Sequence, residues 1–243
     1  MLIDETPHEP HRRSDGERTH AAILETATRV ASIEGVHGLT IGRLAEETGI
    51  SKSGLYAHFG SKEQLQLEVI EAANVIVMRE VVEPAMEAPE GLRRLEALTD
   101  AYFSYLERWV FPGGCFFSSL LAEADARTGP IHDVVAAGQR ESGAQMTKLV
   151  RDAQRMGEID RGLDAAQLAF EIDACMSQAN YLFVLFRDPA SLRRGRKAIR
   201  RILDAARPRS RGGAPSRRGN PSRSARSGSR STGSARRGPA DRT

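Results

Sequence analysis

The chain has 243 residues, 40% of them hydrophobic, so a sizeable core can form. Its formal net charge of +3 hides an asymmetry, because from Arg207 onward eleven Arg face one Asp, a net of +10 that leaves −7 for the first 206 residues; global charge therefore carries no argument about partners. Two cysteines without C-x-x-C spacing exclude a disulfide scaffold, and no His lies near either at metal-ligand spacing, so no metal or cofactor is expected.

The first 20 residues lack the apolar segment of a secretory signal, and no apolar run approaches the roughly 18 residues of a membrane span, which predicts a soluble cytoplasmic chain with no membrane partner. Residues 1–14 are polar and read as a loose arm. Ser14-Asp15-Gly16-Glu17 offers a capping box for a first helix with an apolar stripe at Ile23, Leu24, Ala27, Val30 and Ala31, ending before Gly35 and Gly38. Two short helices follow, about Ile41–Thr48 with Thr40 as N-cap and about Lys52–Phe59 with Ser51 as N-cap. Gly60 ends the second, and Ser61-Lys62-Glu63-Gln64 opens a long helix expected to run to about Val82, before Pro84. Further helices are predicted at about 90–109, 116–125, 130–156, 164–187 and 189–206, with boundaries marked by glycine and proline pairs. Strand alternation and hairpin turns are nearly absent. The prediction is an all-α chain.

The segment LTIGRLAEETGISKSGLYAHFGSKEQL carries the strongest signal. It describes two helices too short to stand alone, joined at Gly49-Ile50-Ser51. Ala45 is the small residue the helix crossing needs, and Gly49 tolerates the positive φ of the turn. Ile41, Leu44, Ile50, Leu55 and Phe59 point inward, which leaves Lys52, Ser53, Gly54, Tyr56, Ala57 and His58 outward on the second helix. Short and polar residues on an exposed helix suit a recognition helix in the DNA major groove. From Thr40 to Lys62, with Leu44-Ala45, Gly49, Ser51, Leu55-Tyr56, His58-Phe59-Gly60 and Ser61-Lys62, the sequence resembles the TetR family of bacterial transcriptional regulators. The resemblance covers about 50 residues, counting the first helix.

What the resemblance implies is a three-helix DNA-binding head, a larger helical domain for effector binding and dimerisation, and release from operator DNA when a small molecule binds. Transferred by position, Tyr56 and His58 would reach phosphates or base edges, Lys62 and Thr40 would contact phosphate, and Lys52, Ser53 and Gly54 would face bases. Arg43 is a candidate base or phosphate contact. The plain alternatives stand beside these: Tyr56 packing on the head, His58 padding the helix end, Arg43 as a solvated charge. An activating or effector-independent DNA-binding regulator is the second functional expectation, and no enzymatic motif is found.

In the second half, 164–187 is apolar nearly all round, which predicts cover from its own domain on one side and a second subunit on the other. Residues 130–187 are therefore the expected homodimer interface. More than half of the chain's thirteen Phe, Trp and Tyr residues fall between 102 and 117. Phe103, Trp109, Phe111, Cys115 and Phe116 are the candidate effector-binding residues, with core packing as the alternative. Cys115, after two glycines, is either a reactive sensor thiol or a small buried apolar residue. Glu123 and Asp125 are polar anchors or surface charges. Four regions result: an arm over 1–14, a helix-turn-helix head over 15–65, an effector-binding and dimerisation domain over 66–206, and a disordered Arg/Ser/Gly-rich tail over 207–243. The tail adds sequence-independent DNA affinity or merely solubilises the chain.

Overall fold

Helix α1 (Asp15–Glu34) exists because Ile23, Ala27, Val30 and Ala31 recur at helical spacing and bury one stripe. The structure, a computed structural model, describes residues 15–208. The expected arm, the Ser14 cap and the tail from 209 lie outside the described residues.

The next three helices are delimited by their own side chains. Thr40 caps α2 (Ile41–Thr48) by accepting from Arg43 N at 3.1 Å, and Ser51 caps α3 (Lys52–Phe59) by accepting from Gly54 N at 3.1 Å. Between them Gly49 takes a left-handed φ of 70° and returns its N–H to Ala45 O, the geometry a side chain would strain. Ser61 caps α4 (Lys62–Val77) through Gln64 N at 3.0 Å.

Pro84 does not end the long helix as expected. Residues Met78–Val82 widen into a π turn, in which Glu83 N donates to Met78 O five residues back, and the helix resumes as α5 (Glu83–Met86). A widened turn is one of the ways a helix accommodates a residue that lacks a donor and crowds the preceding carbonyl.

The remaining elements are α6 (Leu92–Glu107), α7 (Phe116–Ala124), α8 (Pro130–Arg155), α9 (Ala165–Phe186) and α10 (Ala190–Ala205), each within two residues of its expected bounds. Among the described residues there is no strand. Helix α9 packs against α6, α8 and α10, and α10 crosses it closely at Gly195, where a methyl group would overlap Ala179 and Phe103. Leu39, Leu44, Leu55, Leu65, Leu95, Phe103 and Leu120 are essentially inaccessible and belong to one continuous apolar cluster spanning the first helices and the rest. Each such side chain stabilises by about 1.5–3 kcal/mol relative to exposure.

One side of α9 is covered as expected, through Leu168, Ile172, Met176 and Phe183. The other side stands open within this chain: Phe170 is 67% exposed, Leu185 71% and Phe186 63%.

Candidate nucleic-acid interface and effector cleft

Buried Leu55 and Phe59 anchor α3 to the head, and the rest of its surface faces out. Lys52, Ser53 and Tyr56 are exposed, with Tyr56 half accessible, while Gly54 and His58 are half-buried. Ser53 Oγ lies 3.1 Å from Ser51 Oγ, so the capping serine and its neighbour form a pair at the helix start. A side chain at Gly54 would press on Ile50 and Ser51, which gives this glycine a local packing reason as well as an outward position.

Thr40 and Lys52 converge. Both the Lys52 ammonium and the Thr40 hydroxyl lie within 4 Å of where a Gly42 side chain would sit. Gly42 was not singled out in the sequence, since only the folded turn shows that it lies beside Lys52. Lys62, exposed at the start of α4, donates to His37 O at 3.0 Å. The Lys62 ammonium thus stands beside the turn that leads into Thr40.

Two candidates are engaged inside the head. Arg43 Nε donates to Glu34 Oε1 at 2.9 Å and its Nη1 to Glu47 Oε2 at 3.0 Å. The hydrogen bonds it donates to Glu34 and then to Glu47 hold this guanidinium protonated even more firmly than an ordinary arginine. Arg43 therefore ties α1 to α2, and a DNA contact would require exchange of these partners. His58 sits with its ring 5.7 Å from that of His20, which itself rests on Phe59 and pairs with Glu68 at 2.7 Å. This half-buried stack fits the padding alternative for His58 and leaves one edge toward solvent.

The turn between α1 and α2 is fastened by three side chains from two helices. Glu123 of α7 accepts from Val36 N at 3.2 Å and His37 N at 3.0 Å, and its Oε2 lies 3.1 Å from His37 Nδ1. Lys62 and the buried Gln66 hold the carbonyls of His37 and Val36 from α4. Glu123 is thus a polar anchor for this turn, a role its sequence context could not show because 86 residues separate it from His37.

Of the five aromatic-region candidates, Phe103, Phe111, Cys115 and Phe116 are buried in the core. Cys115 N donates to the buried Asn180 Oδ1 at 3.0 Å, and the enclosed thiol lacks the partial exposure that reactive cysteines have. Trp109 alone of the five lines a cleft of about 600 Å³, together with Ser32 and Ile33 of α1, Pro112 and Gly113, Ser119 of α7, and Val184 and Arg187 at the end of α9. The Arg187 guanidinium lies 4.4 Å from the Trp109 ring centroid, while Phe183 flanks the indole at 4.6 Å. Trp109 and Arg187 are the two non-glycine residues with positive φ among the described residues, at 50° and 53°. Such backbone costs on the order of 1–3 kcal/mol per residue and concentrates at ligand sites. Arg187, Ser32 and Ile33 were not found by sequence reasoning, since nothing local marks them.

Comparison with known proteins bears on both regions. Residues 23–69 match the family model described as bacterial regulatory proteins, tetR family, and residues 91–199 match that of the tetracyclin repressor-like C-terminal domain. The nucleoid occlusion factor SlmA of Aliivibrio fischeri is 30% identical over 103 residues, 42% of this chain and 50% of SlmA. The chain thus spans about half the length of that relative. An HTH-type transcriptional repressor of Streptomyces coelicolor is 26% identical over 177 residues, 70% of this chain and 81% of the repressor. A TetR transcriptional regulator from Chloroflexus aurantiacus superposes with a TM-score of 0.71 at 26% identity, covering 78% of this chain and 94% of the other.

Proposed function

The chain belongs to the TetR family of bacterial regulatory proteins, and from that premise we propose that it is a homodimeric, DNA-binding transcriptional repressor released from a palindromic operator by a small molecule. The head, residues 15–65, seats α3 in the major groove. Lys52, Ser53, Gly54 and Tyr56 meet base edges, and Thr40, His58 and Lys62 meet phosphates. Arg43 joins them only by giving up its carboxylate partners.

The rest of the body, residues 66–206, dimerises and holds the effector. Support for a dimer through 130–187 comes from the open face of α9 and from α8, where residues 137–145 are all exposed among the described residues. A helix bare on every side for two and a half turns, and containing Gly138 and Gly143, has little stability of its own. A second copy laid across α8 and α9 covers both. One short recognition helix reads few base pairs, and twofold symmetry doubles them.

The observation that carries ligand release is a single helix touching both regions. Ser119 of α7 lines the cleft, and Glu123, one turn further, holds the amides of Val36 and His37 ahead of Thr40. An effector with an apolar body against Trp109 and an anionic or polar end toward Arg187 would shift α7 and, through Glu123, the reading head. It must bind that shifted state better than the DNA-bound one.

Selection of bound duplexes from a random library tests the proposal. The expected result is a consensus with dyad symmetry, bound by two chains; an asymmetric consensus bound by one chain would overturn the dimeric repressor. Small molecules are then screened by displacement from that operator. An effector-independent regulator is the second reading, favoured by the packing of Phe103, Phe111, Cys115 and Phe116 into core. A screen without displacement, together with wild-type operator affinity after filling the cleft by Ser119→Trp, would establish it.

A further inference from the structure

Helix α10 is amphipathic in an unusual sense, with an apolar side that is fully used and a cationic side that is not used at all. Leu192, Ile199 and Leu203 are buried against the body. On the opposite side Arg193, Arg194, Lys197, Arg200 and Arg201 are all exposed. At 100° per residue these five fall within an arc of about 120° and a length of about 12 Å. None of them makes an ion pair with a described residue. The pairs at this end of the chain belong to Arg196, held by Glu107 and Asp100, and to Arg207 with Asp204.

Five like charges gathered on one face repel one another, so the arrangement is favourable only when an anion answers it. The first 206 residues carry a net −7, yet of the described carboxylates only Asp204, paired with Arg207, lies within this arc, and Glu96 and Asp100 border it at Arg200 without pairing to it. The head has the opposite deficit. Residues 15–65 contain seven acidic and five basic side chains, a net of −2, and Arg43 among the five is already paired to Glu34 and Glu47. A duplex attracts proteins mainly by releasing counterions to Lys and Arg, and this head offers few free cations for that.

We propose that the α10 face is a second nucleic-acid surface, which binds the phosphate backbone of duplex DNA without sequence preference. It supplies the electrostatic affinity that the head lacks. The sequence beyond Pro208 adds ten further arginines. A lipid surface is the less suitable polyanion, because a membrane-lying helix needs an apolar face free for insertion and that of α10 is taken by the body. The inference rests on the proposed role as a DNA-binding regulator, but it invokes residues separate from the recognition helix.

The test uses the full chain and a duplex of about 30 base pairs without operator, titrated at several salt concentrations. Replacing Arg193, Arg194, Lys197, Arg200 and Arg201 together by Gln should weaken binding at least about tenfold near 0.1 M salt. It should also flatten the salt dependence, by about 0.9 in log–log slope for each phosphate that is no longer neutralised. The charge-retaining variant with Arg193, Arg194, Arg200 and Arg201 changed to Lys should restore most of both, which a packing defect would not allow. A Lys52→Ala, Tyr56→Ala variant should keep non-operator binding while losing any sequence preference, so failure of the head and failure of α10 are read separately. An unchanged salt slope in the Gln variant, a loss that Lys does not restore, or binding to phosphatidylglycerol vesicles in place of duplex would each overturn the proposal.

Discussion

Glu123 accepts two backbone N–H groups of the α1–α2 turn and lies against the His37 ring, so its removal leaves donors that no other described side chain is placed to satisfy. Glu123→Ala is expected to cost about 1–3 kcal/mol in urea unfolding. On the proposed reading it also weakens operator binding, because the freed turn carries Thr40. Glu123→Gln, which keeps one acceptor oxygen, should lose less of each. Unfolding and operator titration indistinguishable from wild type in Glu123→Ala would show that the anchor carries nothing. Tyr56 and Leu55 make a sharper pair, adjacent in sequence and opposite in environment, at 52% and 0% exposure. Tyr56→Ala should leave the melting temperature nearly unchanged and abolish operator binding. Leu55→Ala should cost roughly 2–5 kcal/mol by opening a cavity in the head. Equal effects of the two on stability would place Tyr56 in the core instead. Residues of this kind were legible because their partners are local: Thr40 and Ser51 cap the helices they precede, and Gly49 needs only its own backbone. Glu123 and Arg187 were not, because their partners lie elsewhere on the chain, up to 87 residues away for Glu123, and Arg43 was not, because a charged residue on a helix surface reads the same whether paired or free.

Helices were placed well by periodicity and capping signals, and the one element misread shows where those rules stop. A proline was taken to end the helix from Lys62, but that rule assumes an α-helical turn. The π turn at Met78–Val82 carries the helix on through Pro84. Helix α8 poses the reverse problem, since its sequence looks helical while its surroundings give it no reason to be. A Cβ added at Gly138 or Gly143 meets nothing within 4 Å in this chain. If α8 stays bare in solution, Gly138→Ala should stabilise it by about 1 kcal/mol, the intrinsic helix-propensity difference. If a second copy closes on it, as proposed, a larger residue there obstructs the approach. Gly138→Leu should then shift the chain toward monomer in sedimentation measurements while leaving the secondary structure intact. A dimer of undiminished affinity in Gly138→Leu would move the interface off this part of α8, leaving the open face of α9 with Phe170 and Leu185 to be covered in another way.

At the scale of the whole molecule, the proposed effector signal has a second place to cross beside α7 and Glu123, the contact between α1 and the loop before α7. Gly113 lies so close to the Ser32 carbonyl that any side chain there would collide with backbone. Pro112 and Gly113 line the same cleft as Ser32 and Trp109. A methyl group at Gly113 can be accommodated only by moving the end of α1 and that loop apart, which alters the placement of the head relative to α7, the relation that an effector beside Trp109 is proposed to change. Gly113→Ala is therefore expected to behave as a partly released repressor. Its operator affinity should fall about tenfold or more, equivalent to about 1.4 kcal/mol of binding free energy. Association of the proposed dimer is measured alongside, because this loop abuts Val184 and Asn180 of α9 at Gly114. Overpacking also lowers stability, by about 1–3 kcal/mol, so the comparison is made with Leu55→Ala, of similar stability cost, under conditions where both remain folded. The discriminating quantity is effector response. Gly113→Ala, already biased toward release, should bind the effector more tightly than wild type, and the factor lost for operator multiplied by the factor gained for effector equals the shift in the equilibrium between the two states. A variant that lost operator affinity without gaining effector affinity would show that the head had been damaged locally, and that the signal crosses elsewhere.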